Sequence, residues 1–200
     1  MTAPPVVPES WILCPDIMQR LDFPALFGNE YPVELELGAG DGSFLAQWAA
    51  AVPDHNFVGV ERLLGRLRKL DRKARRAGLR NLRCLRVEGS YVLEWMVPQG
   101  SLAGLHVYFP DPWPKRRHWK RRLIQRRFAE LAAAALVSGG HVFLRTDHEG
   151  YFEAIQEAFA GMPEFRAVPV PQSLLAVTTD FERDFNAQGI PTRHATYERR

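Results

Sequence analysis

Five times along this chain a short β-type run ends at a glycine or an acid. Val33–Leu37 ends at Gly38, Asn56–Val60 at Glu61, 84–87 at Glu88, 105–109 at Pro110-Asp111, and 141–145 at Thr146-Asp147. Segments of helical period lie between them. SFLAQWAAAV places Phe44, Leu45, Trp48, Ala49 and Val52 on one face. Residues 62–77 predict a basic amphipathic helix with Leu63, Leu64, Leu67, Leu70 and Ala74 inward, closed by Gly78. A helix over 119–137 carries Leu123, Ile124, Phe128, Leu131, Ala135 and Leu136 on one stripe and stops at Gly139-Gly140; the next turns Phe152, Ile155 and Phe159 inward. Strand alternating with helix means a parallel, doubly wound α/β sheet with right-handed crossovers. The segment 164–200 alternates strand-like pieces with turns. Residues 1–32, which hold six prolines, predict an N-terminal arm with at most one short helix, ahead of a single domain over 33–200.

The net charge of +3 conceals a partition. Residues 62–83 carry ten Lys or Arg against one acid, Asp71, and residues 115–127 carry eight and no acid. These 35 residues therefore hold +17, while the other 165, with eight bases and 22 acids, hold −14. An acidic body with two basic patches points to a polyanionic partner, most simply nucleic acid. Apolar residues at 46% and charged residues at 24% exclude global disorder. No apolar run is long enough for a membrane span. The N-terminus has no cation before Arg20 and no apolar core, so no signal peptide is expected. Cys14 and Cys84 stand far apart and form no C-x-x-C site, which fits a reduced, cytoplasmic setting.

Ligands of such sheets bind beyond the carboxyl ends of the strands, near the switch point. Glu36-Leu37-Gly38-Ala39-Gly40-Asp41-Gly42 follows a strand and opens a helix, and alternate glycines let Gly38 and Gly40 approach a ligand with their backbone. Ser43 comes next, so the pattern is G-x-G-x-G rather than the dinucleotide fingerprint; a plain turn also accounts for such a triplet. Glu61 lies 19 positions after Gly42 at a strand end, where a carboxylate accepts from both ribose hydroxyls. No lysine follows the glycines, which excludes a P-loop. Acidic Glu36 and Asp41 would repel a pyrophosphate and suit a cation. A cationic nucleoside without phosphate is S-adenosylmethionine, favoured here over NAD. Glu88 is placed to contact its adenine amino group.

In Phe109-Pro110-Asp111-Pro112-Trp113-Pro114-Lys115, three prolines stiffen the backbone around one acid and one Trp where the cleft is expected. Asp111 is therefore the leading functional candidate. Trp113 can stack on a base, and the cations after it can bind phosphates. His148 is expected to begin a helix; no second His or Cys lies at ligand spacing, so no metal is expected.

Together E-L-G-A-G-D-G, G-V-E, Y-F-P-D-P-W-P-K-R-R-H-W-K-R-R-L and T-D-H resemble the tRNA (guanine-N7-)-methyltransferase family. The likeness runs from Val33 to Phe159 and resumes at Thr179-Asp180-Phe181-Glu182, matching the family's T-x-F-E segment. The resemblance implies a Rossmann-like class I methyltransferase fold, a seven-stranded, mostly parallel sheet with helices on both faces and an antiparallel end. It implies S-adenosylmethionine as donor, held by Glu36, Glu61, Glu88 and Asp111, with Asp111 catalytic. It implies tRNA as partner, contacted by Lys115, Asp147 and Thr179 through Glu182, and methylation at N7 of a guanosine in the variable loop, position 46. Arg116, Arg117, Lys120, Arg121 and Arg122 are expected on the phosphates, and the chain is expected to be a monomer or homodimer away from membranes. Glu88 departs from the family's usual Asp or Asn, and the N-terminal arm is short and nearly uncharged.

Guanine N7 has a lone pair and no proton, so its attack on a sulfonium methyl needs no general base. Rate would come from alignment, with a carboxylate offsetting charge on the cationic product. Guanine's N1–H and amine are donors that a carboxylate can accept, with Asp147 and Glu182 as candidates, and the base would have to leave its stack. Competing readings are a methyltransferase of another RNA base or of a small molecule, and a non-catalytic RNA-binding module on the same scaffold.

Overall fold

The computed structural model describes residues 11–13 and 15–200. They form one eight-stranded sheet of order β1-β4-β3-β2-β5-β6-β8-β7. The strands are β1 (Ile12–Leu13), β2 (Val33–Leu37), β3 (Asn56–Val60), β4 (Leu82–Leu85), β5 (Leu102–Tyr108), β6 (Leu136–Thr146), β7 (Phe165–Val168) and β8 (Arg193–Arg199). Every pair from β1 to β6 is parallel; β8 runs antiparallel to both β6 and β7. The doubly wound order and the antiparallel end are as expected. The additional strand is β1, whose two residues are too short for any periodicity to reveal.

Period two decides the two cores. Val33, Leu35 and Leu37 of β2, with Leu105 and Val107 of β5, pack with Phe128, Ile155 and Phe159 on one face of the sheet. Phe57, Cys84 and Tyr108 pack on the other with Phe44, Leu45, Leu67, Leu70 and Ala74. The helices are α1 (Phe23–Phe27), α2 (Leu45–Ala51), α3 (Leu64–Arg76), α4 (Gly89–Tyr91, running on as a π turn over Val92–Met96), α5 (Arg126–Ala135), α6 (Glu149–Phe159), α7 (Gln172–Leu175) and α8 (Asp180–Ala187).

Several boundaries differ from the sequence expectation, each for a local reason. Leu63 does not face inward: it is the extended residue before α3 and is 48% exposed. Gly78 does close that helix in the left-handed region. The stripe over 119–137 divides into a 3-10 helix, Arg116–Arg121, and α5, because long-range bonds claim the residues between them. Arg122 donates to Pro112 and Gly150 carbonyls at 2.8 and 3.3 Å, and Ile124 N donates to the Tyr151 hydroxyl at 3.0 Å. Gly139 and Gly140 do not stop a helix; they lie inside β6, where its pairing with β5 shifts register between Leu102 and Gly104. His148 begins α6, its ring nitrogen accepting from Tyr151 N at 3.2 Å. α8 was not anticipated, although Thr179 and Glu182 form a capping box that the T-x-x-E spacing signals.

Of the expected arm, residues 1–10 and Cys14 lie outside the described residues. Trp11 is buried; its backbone N–H donates to Asp71 Oδ1 at 2.6 Å and its ring carries the Arg83 guanidinium at 4.2 Å. Burial, with Asp71 nearby, pushes the Cys84 thiol up to about 12, so it stays protonated. No helix among the described residues is long and apolar enough to cross a membrane.

Candidate active site

The loops after β2 to β5 enclose a cavity of about 740 Å³, within the range of small-molecule sites. Its floor is built by the glycine loop. Gly38, Gly40 and Gly42 all have positive φ (80°, 56° and 77°), which L side chains rarely adopt. At Gly42 space is short as well: a Cβ would stand 2.2 Å from Leu70 Cδ1, so α3 packs directly against the loop. Gly38 and Ala39 N–H groups both donate to Val60 O at 2.9 Å, tying the loop to the end of β3.

Glu61, at that strand end, holds the wall together. Its Oε2 accepts from Gly40 N at 3.2 Å and its Oε1 from Leu63 N at 2.7 Å. Each oxygen keeps a lone pair that can face the cavity. Glu36 is buried and also lines the cavity, yet its Oε2 has no hydrogen-bond partner. Burial pushes its carboxyl up to about 8; nearby Glu61 and Asp41 push the same way, against Arg145. Arg145 does not offset burial, so the carboxyl stays protonated near neutral pH, and a cation that donates to the unpartnered oxygen would favour its ionised form. The α-ammonium of S-adenosylmethionine supplies one, and Glu61 suits its ribose, so these residues fit that donor.

Glu88 stands on the far wall, exposed, and caps α4 by accepting from Tyr91 N at 3.0 Å and from the Ser90 hydroxyl. Burial alone would raise its carboxyl, but these bonds hold it below the ordinary value. It reaches the cavity with one oxygen already engaged as a cap.

Asp111 lies on the mouth, between Phe109 and Trp113, which are the non-glycine residues with positive φ (50° and 43°) among the described residues. Such conformations cost about 1–3 kcal/mol each and persist only where the surroundings impose them. Phe109 N donates to Arg145 O at 2.9 Å, and Trp113 N donates to Asp111 Oδ1 at 3.1 Å, closing an Asx turn. The Trp113 ring carries Arg121 at 5.0 Å.

The start of α8 closes the opposite side. Thr179, Asp180 and Phe181 line the cavity, and Asp180 N donates to Ser43 Oγ at 3.1 Å, joining α8 to the glycine loop. Phe181 is 51% exposed, with its ring 6.2 Å from Phe109 and 6.3 Å from Phe185. Glu182 does not reach the cavity. It is buried, receives Arg145 at 2.7 Å, and belongs to the capping box. Arg145 also donates to Leu174 and Val177 carbonyls at 2.7 Å, so this buried pair clips the 174–182 segment to the sheet.

Asp147 and Lys115 also stand outside the cavity lining; Asp147 is half-buried and Lys115 exposed. Arg116, Arg117, Lys120 and Arg121 are exposed, whereas Arg122 is 5% exposed and holds the loop from within, stacked between Trp119 and Tyr151 at 4.6 and 4.8 Å. Asp184, Arg66 and Lys69, which no motif singles out, also line the cavity. The wide basic patch at 62–83 was the signal for the last two.

Comparison with solved structures bears on the fold. A 16S rRNA methyltransferase, KamB, superimposes with a TM-score of 0.64 at 19% identity, over 89% of this chain and 93% of that one. A family model described as "Putative methyltransferase" matches residues 30–195. The tRNA (guanine-N(7)-)-methyltransferase of Chromohalobacter salexigens is 40% identical over 77% of this chain, and that of Saccharophagus degradans 39% over 79%. The matched stretch covers 63% and 71% of those two relatives' own lengths. At that identity and coverage, the chain belongs to the tRNA (guanine-N(7)-)-methyltransferase family.

Proposed function

We propose that this protein transfers the methyl group of S-adenosylmethionine to N7 of a guanosine in the tRNA variable loop, position 46, in the cytoplasm. The observation that carries the reading is the unpartnered, buried Glu36 carboxylate facing the same cavity whose mouth holds Asp111 and Phe181. The donor, when bound, supplies an electrophilic methyl on a sulfonium. Glu36 would hold its ammonium and Glu61 its ribose hydroxyls, with Glu88 beside the base.

The protein's own part is to bind and align. N7 attacks with its lone pair, so no residue has to remove a proton. Positive charge passes to the purine as the bond forms, and Asp111, at the mouth of the cavity, offsets it. Phe181 offers a face for an unstacked base. Asp111, Asp180 and Asp184 line the cavity and are candidate acceptors for guanine's N1–H and amine, Asp180 with one oxygen already taken by Arg183. Lys115, Asp147, Arg116, Arg117, Lys120 and Arg121 then serve RNA outside the cavity, while Arg122 and Glu182 hold the loops that carry the contacts.

The test is methyl transfer from labelled donor to an unmodified tRNA transcript, followed by nucleoside analysis. 7-Methylguanosine is expected. A different methylated nucleoside would redirect the reading to another base, and donor binding without transfer would reduce it to a binding module.

A further inference from the structure

The basic helix α3 is not absorbed by donor binding. Its inner face is spent on packing: Leu67, Leu70 and Ala74 are buried, and Leu70 lies against Gly42 of the donor loop. Two of its cations are spent on anchoring. Lys73 Nζ reaches Asp41 Oδ2 at 2.9 Å, and Arg75 Nε reaches Asp71 Oδ2 at 3.3 Å. Arg62, Arg66, Arg68, Lys69, Arg72 and Arg76 are exposed and make no ion pair among the described residues.

A solvated helix face is ordinarily laced with acids one turn away; here Arg68, Arg72 and Arg76 repeat at i, i+4 with like charge, which destabilises the helix. The fold gains nothing from this arrangement, but a polyanion would. The position of the stripe says where that polyanion lies. Arg66 and Lys69 line the same cavity as Trp113 and Arg121, so the mouth has a cationic rim on each side: α3 on one, the turn Arg116–Arg121 on the other. Lys69, Arg72 and Arg76 continue from the mouth along one helix stripe. Seven residues at 1.5 Å rise cover about 10 Å, the axial reach of about three phosphate steps in one strand of a duplex.

We infer that α3 is a second RNA-binding rim, so that the substrate straddles the cavity with its backbone held on both sides of the entering base. This rests on the proposed RNA substrate. It goes beyond it by assigning phosphate contacts to Lys69, Arg72 and Arg76, which no catalytic reading requires.

The probe is an unmodified tRNA transcript, with binding read by fluorescence anisotropy across a salt series. Arg72→Glu/Arg76→Glu is expected to lower the slope of log Kd against log salt by about two. Between about 50 and 200 mM salt, that difference amounts to about sixteenfold in relative affinity. Donor affinity should stay at the wild-type value, since neither side chain lines the cavity, and Tm should not fall, since neither has an acidic partner and the like-charge repeat is relieved. Should the reversal perturb folding, Arg72→Gln/Arg76→Gln must show the same slope change. Wild type that binds with a slope both variants share overturns the second rim and leaves the proposed function standing. Wild type that does not bind tRNA overturns both.

Discussion

Glu36 offers the sharpest test of the donor site, because one group links pH, stability and binding. Its carboxyl is raised from 4.5 to about 8, first by burial and then by Glu61 and Asp41. An acid whose folded pKa lies above its unfolded value stabilises the fold fully below the unfolded pKa, and that contribution is lost as pH rises through the folded one. The window is therefore 4.5 to about 8, and across it the wild-type protein loses up to about 5 kcal/mol from this group. Glu36→Gln keeps the shape and removes the ionisation. It should leave stability unchanged near pH 4 and raise it by several kcal/mol at pH 8, read as the difference in urea unfolding. Donor binding should respond in the opposite sense. A bound ammonium requires the ionised carboxylate, so at pH 7 uptake of donor releases about 0.9 proton per site. Titration calorimetry in buffers of differing ionisation enthalpy measures that release. Donor affinity should also rise by close to tenfold per pH unit from pH 6 to pH 7 and level off above pH 8. In Glu36→Gln the proton release should vanish and affinity fall. A wild-type heat independent of buffer at pH 7, with flat affinity from pH 6 to pH 8, would refute the assignment of Glu36 to the ammonium.

Two further outcomes follow from the geometry. Asp111→Asn keeps an oxygen that can accept from Trp113 N and so keeps the turn, but loses the charge; kcat at saturating donor should fall about 10²–10³-fold, measured by steady-state transfer of a labelled methyl group. Near-normal turnover would remove Asp111 from its role. Glu34 is the structural counterpart of Glu36. Burial would raise its carboxyl, but hydrogen bonds from His106 and His55 outweigh burial and hold it well below 4.5. Its stabilisation is therefore present above 4.5 and lost as pH falls through the lowered value. Glu34→Gln should cost about 3 kcal/mol at pH 7, with the deficit shrinking under acid. A deficit that does not change with pH would show that the carboxylate charge contributes nothing.

The strand ends were legible because each carries a local signal: a glycine that must take positive φ, or an acid just past an apolar run. What was not legible depends on partners distant in sequence. Arg122 reads as one more cation in a basic run, and only Trp119, Tyr151 and the Gly150 carbonyl reveal that it is buried. Glu182 reads as a free acid in T-x-F-E until Arg145, 37 residues away, takes its carboxylate. β1 is held by pairing with Cys84 and Leu85 rather than by any pattern of its own. At α8 the T-x-x-E spacing serves two ends at once, a capping box and a family segment, and the second masks the first.

Glu34 and Glu36 show why a motif alone could not separate structure from chemistry. They are the same residue type, two positions apart on one face of β2, and both are buried. Glu34 meets His106 and His55 at 2.7 Å and Trp48 at 2.9 Å, so its charge is satisfied within the fold. Glu36 meets the cavity with one oxygen unsatisfied. Evenly spaced acids with environments that drive their ionisation apart divide into a strut and a ligand site. That division also sorts ligands by charge. A phosphate beside Glu36 and Glu61 would face two acids, whereas a cationic nucleoside gains from both. The mouth has the reverse character, with Arg62, Arg66, Lys69 and Arg121 around it. On the proposed function, this cationic rim would hold the RNA phosphates while an uncharged base enters, and the acidic end would take the cationic donor.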